Sequence, residues 1–124
     1  MLQAWWEDLY YFKHDEQYKT GSGLLKNSFP EPEKMNEALL RMLDRARGIA
    51  GVTFTITSSY RPGDPRSHGK GLAVDIRVKG SLQRLQIVQA LLQVGFVRLG
   101  VYDLHIHADV DRTLPKGMWT GKSS

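Results

Sequence analysis

Two stretches of seven residues, LAVDIRV (72–78) and LHIHADV (104–110), alternate apolar and polar or small side chains. Such alternation marks a strand, because successive side chains point to opposite faces of a sheet. In the first, Leu72, Val74, Ile76 and Val78 share one face, and Ala73, Asp75 and Arg77 the other. In the second, Leu104, Ile106 and Ala108 alternate with His105, His107 and Asp109, and Asp103 falls in the same register as the histidines. A chain with two such strands must cover their apolar faces with other elements. Asp75 sharpens the constraint. A carboxylate set between Val74 and Ile76 is costly to bury without a partner, so it either faces water or has a dedicated one.

Helices supply the cover. The segment EPEKMNEALLRMLDRARGIAG predicts a helix over about 32–48, with Pro32 in its first turn and Glu31 and Glu33 at the positive end of its dipole. Met35, Leu39, Met42, Leu43 and Ala46 form its apolar stripe, and Gly48 and Gly51 follow its last turn. A second helix is expected over 81–94, capped by Ser81 and closed by Gly95, with Leu82, Leu85, Val88 and Leu92 among its apolar positions. Further strands are expected near 52–57 and 96–101, the latter turning into 104–110 near Gly100 to Asp103. Residues 1–29 are rich in aromatics, which a short helix or extended segment lays on the body before the loop TGSGLLKNSFPEP. The tail DRTLPKGMWTGKSS reads as irregular. The expected fold is α+β: a small antiparallel sheet with helices packed on one face. The 124 residues form a single domain with its core over about 32–112.

Composition narrows the chemistry. With no cysteine, disulfides, thiolate metal sites and thiol nucleophiles are excluded, so a metal here has to be held by histidine and carboxylate. The net charge of +4 suits an anionic cell wall or plain solubility. Its basic residues are scattered, and charge alone gives nucleic acid only a third-ranked place among partners. No run approaches the roughly 18 apolar residues of a transmembrane segment, and the acidic residues after MLQAWW rule out a signal peptide, so the chain is expected to be cytoplasmic as made.

His68, in the glycine-flanked loop RSHGKG, leads into the strand of Asp75. His68, Asp75 and a histidine of HIH are ligand types that zinc accepts, and a catalytic zinc takes three protein ligands. By pattern alone, His-x-His facing solvent is about as good a reading.

The stretch SHGKGLAVDI has the form H-x-x-G-x-A-x-D, carried by His68, Gly71, Ala73 and Asp75. It resembles the zinc-site signature of the M15 metallopeptidases, which include D-alanyl-D-alanine carboxypeptidases and phage L-alanyl-D-glutamate endopeptidases. Upstream, TSSYRPGDP resembles that family's strand-then-arginine segment. Downstream, LHIHADV resembles its third-ligand strand, and the same HIH occurs in the related zinc domain of hedgehog proteins. The resemblance spans about 34–112 in the family's order. It implies a hedgehog-like or D-Ala-D-Ala-peptidase-like fold, Zn2+ held by His68, Asp75 and His107, and Arg61 pairing with a substrate carboxylate, with Ser67 lining the pocket. The implied substrate is a peptidoglycan stem peptide. The implied protein is a monomeric hydrolase, of the endolysin kind that a phage releases onto the cell wall, and the alternative is a zinc-containing module without catalysis. One departure touches the catalytic base. The family often places an acid three positions before the third ligand, where this chain has Leu104, which leaves Asp103 or His105 as base.

Overall fold

The structure, a computed structural model, describes residues 1–123. Its elements in order are β1 (Gln17–Lys19), β2 (Leu25–Asn27), α1 (Glu37–Ala50), β3 (Ile56–Ser58), β4 (Ala73–Arg77), α2 (Ser81–Gln93), β5 (Arg98–Tyr102), β6 (His105–Asp109) and β7 (Gly117–Gly121), with short 3₁₀ turns between some of them. β1 and β2 pair as a small hairpin. The other strands form one sheet in the order β3-β4-β6-β5-β7. The architecture is α+β, as the alternating strands and helical stripes require.

The apolar faces behave as alternation predicts. Val74, Ile76 and Ile106 are fully buried, and with Leu99 and Ala108 they meet Leu39, Leu40, Leu43 and Ala46 of α1 and Ile87, Ala90 and Leu91 of α2. Burying each such leucine or isoleucine side chain is worth about 1.5–3 kcal/mol relative to exposure. The N-terminal aromatics join the same core through Trp6, Phe12 and Phe29.

Several elements depart from expectation. The first helix starts later: Pro32–Lys34 is a 3₁₀ turn, and α1 is capped by the Asn36 side chain, which accepts the Leu39 N–H at 3.0 Å. An asparagine whose oxygen meets an orphan amide outcompetes proline as the start point. Gly80, not Ser81, stands at the N-cap of α2. The buried face of α2 is Ile87, Ala90 and Leu91, whereas Leu82, Leu85 and Leu92 are exposed. α2 is apolar on more than one side, so its periodicity does not choose a face. β3 begins at Ile56 rather than 52 and runs to Ser58, and its register with β4 shifts between Ile56 and Ser58. The sheet is not wholly antiparallel. The tail read as irregular forms β7, an edge strand parallel to β5.

Candidate metal centre

The sheet builds the site as one row. Ser58 pairs with Asp75, Asp75 with His107, His107 with Gly100, and Gly100 with Trp119. Side chains directly opposite on neighbouring strands have Cβ atoms about 4.5–5.5 Å apart, so Asp75 and His107 are brought together by register alone. Both lie on the face turned away from the helices. Gly100 leaves an open space in the row, and the Trp119 indole fills it: a Cβ at Gly100 would lie 2.5 Å from Trp119 Nε1.

His68 reaches the same point from a 3₁₀ turn at Ser67–Lys70. That turn depends on two glycines. A Cβ on Gly69 would run into the Asp64 carbonyl, and Gly71 has φ +71° with the Lys34 carbonyl where its Cβ would stand. Asp111, buried, pins the turn by accepting from the Ser67 hydroxyl at 3.0 Å and from Lys70 Nζ at 3.2 Å. Hydrogen bonds from Thr113 above all, with those from Lys70 and Ser67, hold the Asp111 carboxyl well below the usual range.

The hydrogen bonds assign the ring nitrogens. His68 Nδ1 lies 2.7 Å from the Ser59 carbonyl oxygen, which can only accept, so Nδ1 carries the proton and donates it. His68 Nε2 is then a lone pair; it is buried without a hydrogen-bond partner, 3.4 Å from Asp75 Oδ1. His107 Nε2 lies 2.7 Å from Asp109 Oδ2 and donates to it, which leaves Nδ1 facing the same Asp75 Oδ1 at 3.4 Å. Asp109 is held in turn by Arg98 Nε at 2.7 Å and the Asp111 amide at 3.1 Å. Histidines that bind metals usually donate their other ring N–H to such an acceptor, which fixes the tautomer and the ring orientation.

Nitrogen and oxygen atoms of His68, Asp75 and His107 lie within 4.8 Å of one another and can hold a metal ion. Two ligands each about 2.1 Å from one tetrahedral zinc stand about 3.4 Å apart, the spacing seen from Asp75 to both histidines. The donor set fits the ion: two neutral imidazoles and a carboxylate, with lone pairs facing inward. Without a metal, burial pushes the Asp75 carboxyl up, but the N–H donors and positive charge that His107 and His68 offer it when protonated outweigh this and hold the group far below the ordinary carboxylate value. Burial pushes His107 down, and Asp109 with Asp75 more than reverses this. Asp109 is lowered: burial opposes, His107 and Arg98 prevail.

The centre opens onto a cavity of about 720 Å³ lined among others by Arg61, Ser67, His105, Trp119 and Lys122. Arg61 is half-exposed on its rim, with Nε 3.5 Å from Asp64. Ser67 lines it but commits its hydroxyl to Asp111. His105 is on the wall, stacked on Tyr102 at 4.3 Å. Asp103 is not brought to the cavity. The chain bends at 103 and 104 before β6 begins, which ends the alternation, and the exposed Asp103 carboxylate accepts the Ser123 amide at 2.6 Å instead. Reading the sequence did not find Trp119 or the Ser59 carbonyl, and gave Asp109 and Asp111 no role; only Asp109 had a signal, two residues after His107 on the same face. Comparison of the chain with protein-family models, curated proteins and solved structures finds no match.

Proposed function

We propose that the protein is a zinc-dependent peptidase that cleaves peptidoglycan stem peptides, in the manner of a D,D-carboxypeptidase or an L-alanyl-D-glutamate endopeptidase, and serves as a phage or prophage lysis enzyme. The observation that carries this reading is the pair of inward lone pairs, on His68 Nε2 and His107 Nδ1, each 3.4 Å from one carboxylate oxygen of Asp75. Three acceptors converging in a half-buried place repel one another until a proton or a metal ion joins them. The H-x-x-G-x-A-x-D resemblance supplies the reaction class.

Bound there, zinc would supply a Lewis acid and lower the pKa of a water toward about 7. The protein's own residues supply the rest. Arg61, on the cavity rim, exchanges its loose contact with Asp64 for a substrate carboxylate, which its planar fork grips with direction as well as charge. Hydrolysis joins a water oxygen to the carbonyl carbon, breaks the C–N bond and delivers one water proton to the leaving nitrogen. His105 is the wall histidine not used as a ligand, placed for proton transfer or for stabilising the charge that develops on the carbonyl oxygen. The net positive charge favours approach to an anionic wall. No helix among the described residues is long and apolar enough to cross a membrane.

A second reading, a zinc-containing module without catalysis, is favoured by Asp103, which does not line the cavity and bonds the Ser123 amide instead. Mass spectrometry of purified peptidoglycan incubated with zinc-loaded protein separates the two. The enzyme yields stem peptides with new amine and carboxyl ends, and chelator abolishes them. Intact peptidoglycan from zinc-loaded protein contradicts the enzyme reading and leaves the module.

A further inference from the structure

Three histidines face this cavity, and the atom behind each differs. Behind His68 is a carbonyl oxygen and behind His107 a carboxylate, both acceptors only. Behind His105 is a hydroxyl: Nδ1 lies 2.6 Å from Ser123 Oγ. That oxygen already accepts the Leu104 N–H at 3.1 Å, and among the described residues its own hydrogen has no acceptor other than His105 Nδ1. Ser123 is itself anchored by its amide, which donates to Asp103 at 2.6 Å. The imidazole plane is fixed by Tyr102, stacked on it with 8° between the rings, and Tyr102 accepts from Trp119 Nε1 at 3.0 Å.

We propose that Ser123 is a positioning residue that donates to His105 Nδ1 and so keeps the single ring proton of neutral His105 on Nε2. A neutral imidazole has one donor and one acceptor nitrogen, so the partner at one sets the role of the other. The outer partners thereby sort the three rings. His68 and His107 present lone pairs and serve as ligands; His105 presents an N–H and cannot coordinate. Resting on the peptidase reading, His105 then hydrogen-bonds the substrate carbonyl oxygen as it gains negative charge, the second of the two roles open to it. The same geometry gives Asp103 a place: it holds the serine that holds the histidine.

Long-range proton–nitrogen NMR of uniformly 15N-labelled, zinc-loaded full chain, about two pH units above the ordinary histidine value, reports the tautomer directly. Wild type is expected to show His105 protonated at Nε2. Ser123→Thr, which keeps the hydroxyl, retains that pattern. Ser123→Asp, which can only accept, moves the proton to Nδ1, with zinc content unchanged. Wild-type His105 found protonated at Nδ1 overturns the proposal, as does an unchanged tautomer in a folded, zinc-containing Ser123→Asp. On peptidoglycan, Ser123→Asp is expected to lose on the order of 10²-fold in kcat, the scale of a lost oxyanion donor, with KM little changed, and Ser123→Thr to recover most of it. If wild type hydrolyses nothing, the peptidase reading fails while the tautomer spectra still decide the role of Ser123.

Discussion

Asp75 and its two histidines show how much a single carboxylate can organise. Its position between Val74 and Ile76 made it conspicuous in the sequence, and alternation put it on the face opposite the core. Alternation also placed His105 and His107 on one side of one strand. It did not reveal that β4 and β6 are neighbours, since pairing is a tertiary choice. Nor did it reveal the Ser59 carbonyl, because backbone acceptors carry no residue signal. At this scale Asp109 offers a direct test. It fixes the tautomer and orientation of His107, so Asp109→Ala should weaken zinc binding about 10–100-fold without abolishing it, measured by competition with a chelator. The pH dependence follows from the same contacts. His107 is raised above its ordinary 6.5, so its charged form stabilises the metal-free chain below that value, and the contribution is lost as pH rises through the raised value. Asp75 and Asp109 are lowered from 3.8, so theirs is present above that value and lost as pH falls through the lowered ones. The cluster therefore stabilises metal-free protein most between about pH 4 and 6.5. Zinc needs His107 neutral, so its affinity should fall as pH drops through the raised value, which calorimetric titration at several pH values would read. Affinity that is flat across that range contradicts the assignment of His107 as a ligand.

Helices and strands were legible where burial is one-sided. The stripe of α1 and the alternation of β4 and β6 survive in the structure because one face of each meets the core. β1 and β2 were missed because every one of their residues is exposed or half-exposed, so no periodic signal exists. β7 was missed because its five residues include two glycines and mostly exposed side chains, and its pairing depends on β5 rather than on its own pattern. Yet β7 matters to the site through Trp119, whose ring lies 5.6 Å from His107 and under the Arg98 guanidinium at 4.9 Å. Gly100→Ala tests that link. The new Cβ would meet the Trp119 indole at 2.5 Å and Tyr102 at 2.8 Å, so the indole must move. The cost is expected at about 1–3 kcal/mol in chemical denaturation, the usual range for overpacking, with a change in tryptophan fluorescence. A variant as stable as wild type with unchanged emission would show that Trp119 does not fill the space above Gly100.

Over the whole molecule, the fold divides its labour between the two faces of one sheet. The inner face carries the core with both helices and the N-terminal aromatics, and the outer face carries the ionisable row. A metal held on the outer face would thus be linked to global stability through β4, β6 and the turn of His68. At a free zinc concentration about a thousandfold above Kd, the ion stabilises the folded chain by about 4 kcal/mol, so the melting temperature should rise by on the order of 10 °C. The most direct test of the metal centre is zinc content per chain, measured by elemental analysis after exhaustive dialysis of wild type and Asp75→Ala. Removing Asp75 takes away the one oxygen shared by both histidines, so wild type should hold one zinc and the variant none. Stoichiometric zinc in the dialysed variant, or none in wild type, would contradict a centre built from His68, Asp75 and His107.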